Sequence, residues 1–314
     1  MILIFMFAIW SSSFSIGKMA LDVAPPLFLT ASRMLVAGVM ILGYLAWKNR
    51  SAFKITGKQF ISIVLLALFS IYLTNAFEFW GLKHMSAAKT CFFYSLSPFF
   101  SAFFSYLHFG EKMNRWKWLG MAIGFLGFIP VLAAQKGSEE LLSSLVFISW
   151  PELAVIAASM CSGYGWILLR LSLKDHSIPL LMLNGLSMLI GGVFALIHSF
   201  FIDPWTPIPV ASADFQAFAQ GFIIIIFISN ILCYNLYGFL LKRFTATFMS
   251  FMGLLFPIFA SINSRIFLNE PFSPTILFST AIISVGLWLF YSAELRQGYV
   301  RKEISDTAKA ASEP

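Results

Sequence analysis

The sequence predicts an all-α membrane protein: ten transmembrane helices arranged as two inverted five-helix repeats. Three observations carry that prediction. The chain has 314 residues, of which 59 % are hydrophobic and 11 % charged, against about 25 % charged in ordinary soluble domains. Apolar runs of the length that spans a bilayer core, about 20 residues for about 30 Å, recur from one end to the other. The chain also matches itself when displaced by 159 residues. The net charge of +7 does not read as nucleic-acid binding, because the basic residues sit between apolar runs and not on a soluble face.

The first run, 2–20, reads as a span and not a cleaved leader: no basic stretch precedes it, and no small-x-small site lies near Lys18. Runs at 27–47, 59–82, 87–109 and 116–134 complete the first group. The second group runs 151–171, 178–200, 217–240, 245–268 and 274–293. The expected organisation is a first repeat over 1–134, an external linker over 135–150, a second repeat over 151–293 and a polar tail over 294–314. Orientation follows from the cations of the short loops. With the N-terminus inside, the cytoplasmic loops hold Lys48, Arg50, Lys54, Lys58, Lys112, Arg115, Lys117, Arg170, Lys174, Lys242 and Arg243. The tail adds Arg296, Arg301, Lys302 and Lys309, whereas the external loops hold only Lys83 and Lys136. Both termini are therefore expected in the cytoplasm, in a multi-pass protein of a bacterial inner (plasma) membrane.

The displacement of 159 residues lays the fourth span on the ninth without a gap. Pro98 falls on Pro257, Glu111 on Glu270, Lys83 on Lys242, Ser105 on Ser264 and Gly127 on Gly286. It also sets Asn114 on Ser273, both expected as N-caps, the second backed by Pro274 at the first helical position. A shift near 152 sets Lys18 on Arg170. Five spans is an odd number, so the second copy enters the membrane upside down, the arrangement that alternating access exploits.

Trp10-Ser-Ser-Ser-Phe14 ahead of Lys18, Arg33 in the second span, and Pro98 and Glu111 recurring as Pro257 and Glu270 together resemble the EamA-type branch of the drug/metabolite transporter superfamily. The resemblance covers the membrane portion and implies ten helices with both ends cytoplasmic. It implies secondary transport of amino acids, nucleobases, drugs or S-adenosylmethionine, and it draws Trp10 and Ser13 into the candidate site.

The residues themselves point to further candidates. A proline inside a helix removes one backbone hydrogen bond, so Pro98 and Pro257 are expected to free the carbonyls of Tyr94 and Gly253 and to act as the gating breaks. Charges inside spans cost about 2.5–3.5 kcal/mol each on insertion scales, so Arg33, Glu78 and Lys89 call for a reason. One is mutual pairing or snorkelling; the other is a vestibule holding a zwitterion, its carboxylate at Arg33 or Lys89 and its amine at Glu78. If protons drive transport, Glu78 is the coupling candidate. Thr74 and Glu78, four apart, share one helical face with Asn75 adjacent, and Asn230, Tyr234 and Tyr237 share another, both faces expected to point inward. Tyr94, Tyr164 and Trp166 add aromatic walls suited to a planar or cationic group. Glu111 and Glu270 are expected to cap the following helix or pair with loop cations.

Other chemistries find little support. Cys91, Cys161 and Cys233 lie in apolar runs without metal or disulfide spacing, and His84, His108, His176 and His198 are scattered, so neither a metal site nor a catalytic constellation is expected. There is no G-x-x-x-x-G-K-[ST] loop for ATP, and no cofactor is implied. A channel would favour polar rings over paired prolines. The expected partners are the lipid bilayer and a small polar metabolite: an amino acid or a derivative, with S-adenosylmethionine/S-adenosylhomocysteine exchange one option. Drug or purine export, or a membrane-embedded enzyme, are the alternatives, and a homodimer is left open.

Overall fold

The computed structural model describes residues 2–85, 90, 93–134, 149–174, 178–205, 208–210, 214–256, 258–259, 262 and 274–299. Among these residues the chain is helical, with no strand. Helix α1 is Ile2–Val23 and α2 is Pro26–Lys48, with Pro26 at its first turn where a missing N–H costs nothing. Helix α3, Gly57–His84, opens on a capping box in which Thr56 accepts the Gln59 N–H and the Gln59 side chain accepts the Thr56 N–H. Helices α4 (Ser97–Phe109) and α5 (Arg115–Ala134) follow. Next come α6 (Trp150–Lys174), α7 (Leu180–Ile202), and α8, which begins as Phe215–Ile225 and ends as Tyr234–Leu240. Helix α9 is Ala246–Met252, tightened into a 3-10 turn over Gly253–Leu255, and α10 is Pro274–Arg296.

Six described helices are long and apolar enough to cross a membrane: Pro26–Lys48, Gly57–His84, Trp150–Lys174, Leu180–Ile202, Phe218–Leu240 and Phe278–Arg296. Ile2–Ser13 and Ala246–Leu255 are shorter apolar helices. Helix α10 runs to Arg296, past the expected boundary at 293, so Glu294 belongs to a buried helix end and not to a polar tail.

The most extensive pairings are α2 along α7 and α5 along α10. Both rely on close backbone approach. A Cβ on Gly38 would lie 2.8 Å from the Leu189 nitrogen, and one on Gly286 would lie 2.6 Å from the Gly120 carbonyl oxygen. Small residues at such crossings let dispersion contacts hold helices together where lipid offers no hydrophobic drive. Helix α3 packs on α6, and α8 on α1. Helices α4 and α9 also touch, tied by a Ser101–Ser250 hydroxyl pair at 2.7 Å and by Thr247 Oγ1 near Ser105 Oγ at 3.3 Å.

Two long helices leave α-geometry midway. Residues Ala67–Leu73 in α3 and Ile226–Cys233 in α8 are π-helical, and the two stretches begin 159 residues apart, the displacement of the sequence repeat. Each closes on a bond spanning five residues, Thr74 N–H to Phe69 O and Tyr234 N–H to Ser229 O. Such stretches are rare and concentrate at functional sites.

The structure corrects the reading of Pro98. The fourth span is interrupted at Ser95–Leu96, and a new helix starts at Ser97, so Pro98 lies in a first turn and not mid-helix. Pro98 has no N–H to close a helical bond on the Tyr94 carbonyl, so it sits in a first turn, where none is needed. Pro257, Lys89, Glu270 and Ser273 lie outside the described residues. Asn114 caps α5 as expected, its Oδ1 accepting the Lys117 N–H at 2.9 Å. Glu111 pairs with Arg170 at 2.7 Å.

Candidate binding site

The π-helical stretches of α3 and α8 face each other across a cavity with about 1100 Å³ of empty space, its open mouth included. Of the candidates read from the sequence, Trp10, Ser13, Arg33, Asn75, Glu78, Tyr94, Trp166, Tyr234 and Tyr237 line this cavity. They come from α1, α2, α3, the segment before α4, α6 and α8.

Two candidates stand elsewhere. Tyr164 packs against Phe69, Phe104 and His108. Two residues is just over half a helical turn, so Tyr164 and the cavity-lining Trp166 face different ways. Asn230 is buried and donates Nδ2 to the Met34 sulfur at 2.9 Å, while its neighbour Ser229 reaches the cavity.

Arg33 anchors one side. It is buried, its guanidinium lies 4.8 Å from the Phe79 ring centroid, and Nη2 donates to Asn75 Oδ1. Asn75 is oriented in turn by donating Nδ2 to the Ile71 carbonyl at 2.7 Å. The Arg33 Nε has no hydrogen-bond partner. Half-buried Glu78, one helical turn beyond Thr74, interacts with Arg33 through space. The wall therefore offers a cation with an unused donor beside an anion, both at the edge of an enclosed space.

The other side is aromatic. The Trp166 and Tyr237 rings lie 4.0 Å apart at 31°. Trp10 meets both edge-on, at 6.4 Å and 5.8 Å, and meets Phe256 at 5.9 Å. Its indole N–H donates to Ser229 Oγ at 3.1 Å, which fixes the ring. Tyr234 sits at the junction, beside Trp10, Trp166 and Asn75. The Tyr237 hydroxyl and the Ser13 Oγ are buried and lack hydrogen-bond partners.

Sequence reading missed Phe7, Ser70, Ser97, Ser162, Ser229, Ser250 and Phe256, which also line the cavity; Thr74, read from the sequence on the face of Glu78, lines it too. One signal could have found several of them. The 159-residue displacement carries Ser70 to Ser229, Asn75 to Tyr234, Glu78 to Tyr237, Tyr94 to Gly253 and Ser97 to Phe256, and all ten line the cavity.

The sequence model of the EamA-like transporter family matches residues 1–133 and 149–292. A protein of Chlamydia muridarum (strain MoPn / Nigg) named S-adenosylmethionine/S-adenosylhomocysteine transporter is 40 % identical over 93 % of this chain and 91 % of its own length. A protein of the same name from Chlamydia trachomatis serovar L2 is 41 % identical over 93 % and 88 %. A WAT1-related chloroplastic protein of Arabidopsis thaliana is 25 % identical over 92 % and 68 %. One solved crystal structure superposes with a TM-score of 0.73 at 16 % identity, covering 94 % of this chain and 97 % of that one, and so shares its fold.

Proposed function

This chain belongs to the EamA-like transporter family, and from that membership we propose that it is a secondary transporter of S-adenosylmethionine and S-adenosylhomocysteine. The observation that carries the reading is Arg33, buried in the cavity wall with an unused Nε donor, braced by Asn75 and set beside Glu78. A guanidinium in that state is a receptor for a carboxylate, and the adjacent Glu78 is a receptor for an ammonium. The α-amino-acid end common to both metabolites supplies that pair of charges. The names of the two chlamydial relatives agree with it.

The transport cycle we propose is alternating access between two inverted repeats, 1–134 and 151–293, with ten helices and both termini in the cytoplasm of a bacterial inner membrane. Its support is threefold. The family model matches twice along the chain. The π-helical stretches start 159 residues apart, and the same displacement carries cavity residues onto cavity residues. The helix breaks before Ser97 and over Gly253–Leu255 fall at corresponding places of α4 and α9, where an opening and closing motion has its least costly hinge.

Uptake of radiolabelled S-adenosylmethionine into proteoliposomes tests the reading. Saturable uptake is expected in the parent protein. With Arg33→Ala it is expected to fall at least tenfold, since hydrogen bonds to charged groups are worth about 1.5–3 kcal/mol. Uptake equal to that of the parent by a folded Arg33→Ala protein sinks the assignment.

A further inference from the structure

The cavity's two sides differ in chemistry although the same backbone feature frames each. Asn75 and Glu78 follow the π-helical stretch of α3; Tyr234 and Tyr237 hold the corresponding places after that of α8. At these paired positions, the first repeat presents an amide and a carboxylate and the second presents two phenols. We infer that the cavity reads its ligand in two parts, and that the Trp10, Trp166 and Tyr237 cluster, with Ser13, is the receptor for a nucleoside.

This rests on the substrate reading above. Two independent features support it. The first is the ring cluster: a flat, polarisable base gains from indole and phenol faces, and base–aromatic stacking is worth about 1–3 kcal/mol. The second is the orphaned polar pair. A buried hydroxyl without a partner is uncommon and needs a reason, and the cavity lining holds two, Tyr237 OH and Ser13 Oγ. Ser250 is the polar group beside the Tyr237 hydroxyl, at a geometry short of a hydrogen bond. A purely apolar guest would leave both hydroxyls unsatisfied, whereas the heteroatoms of a purine or ribose can meet them. Since Arg33 and Glu78 already suit the amino-acid end, a ligand carrying both ends spans the cavity from the charged wall to the aromatic one.

Fragments separate the two parts. Uptake of radiolabelled S-adenosylmethionine is measured in proteoliposomes with methionine or 5′-methylthioadenosine as competitor, in the parent protein and in Tyr237→Phe and Ser13→Ala. Tyr237→Phe keeps the ring and removes only the orphan hydroxyl, so the fold is retained. Both fragments are expected to compete in the parent. Each variant is expected to weaken methylthioadenosine competition about fivefold to tenfold, the size of one net hydrogen bond, while leaving methionine competition unchanged. The inference is overturned if methylthioadenosine does not compete in the parent, if its competition is the same in both variants as in the parent, or if methionine competition falls in step. Absence of S-adenosylmethionine uptake by the folded parent protein overturns the substrate reading itself, a result distinct from these.

Discussion

Lys117 and Glu294 set the residue scale, because their side chains are 2 % and 0 % exposed and meet at 3.1 Å. Thr245 donates its hydroxyl to the same carboxylate at 2.7 Å and accepts the Phe248 N–H, so the ion pair also holds the N-cap of α9. Removing one partner strands a buried charge, at a cost of about 3–5 kcal/mol, whereas removing both is often close to neutral. Lys117→Met is therefore expected to lower the thermal midpoint in detergent sharply, and Lys117→Met with Glu294→Met to recover most of the loss. A double variant no more stable than the single one contradicts this account of the pair. The sequence counted Lys117 among the loop cations although it falls at the edge of the 116–134 run, and put Glu294 in the tail beyond 293. Helix α10 continues past its window to Arg296, and a partner distant in sequence is invisible to a local pattern. Arg33 and Glu78 were legible for the opposite reason: a charge inside an apolar run announces itself.

At the scale of elements, periodicity and caps placed most helix boundaries within a few residues. Pro25–Pro26 opening α2 and Asn114 capping α5 mark starts that need only local chemistry. The π-helical stretches were not legible, because a five-residue bond replaces a four-residue one without altering composition. Their consequence for the site is direct. A π turn shifts the helical face by about one residue, and the residues after it, Asn75 and Glu78 on α3 and Tyr234 and Tyr237 on α8, reach the cavity together. The α5–α10 pairing gives an element-scale prediction. Gly286→Leu forces a side chain into the Gly120 carbonyl, and overpacking of that kind costs about 1–3 kcal/mol. Its thermal midpoint is expected to fall, while Gly43→Ala, where a Cβ meets nothing within 4 Å, is expected to leave it unchanged or raise it. Equal effects at the two glycines are incompatible with the packing described.

For the whole molecule, composition alone pointed to the membrane class, and the repeat is the basis of the arrangement we propose. The orientation follows from loop cations and has its own test. Single cysteines at Arg50 and Lys112, in a background without Cys91, Cys161 and Cys233, are expected to react with an impermeant thiol reagent only after cells are opened. Labelling of either in intact cells reverses the proposed topology. The substrate was less legible than the fold, because the cavity is assembled from parts of seven helices distant in sequence. Only the paired positions of the repeat connect them in one dimension.

The central claim, exchange of two related metabolites through one cavity by alternating access, is tested most directly by counterflow. Proteoliposomes loaded with unlabelled S-adenosylhomocysteine are expected to accumulate external radiolabelled S-adenosylmethionine rapidly and transiently, at a rate that saturates, while unloaded vesicles take up little. Flux that rises in proportion to concentration and ignores the internal load would contradict the account.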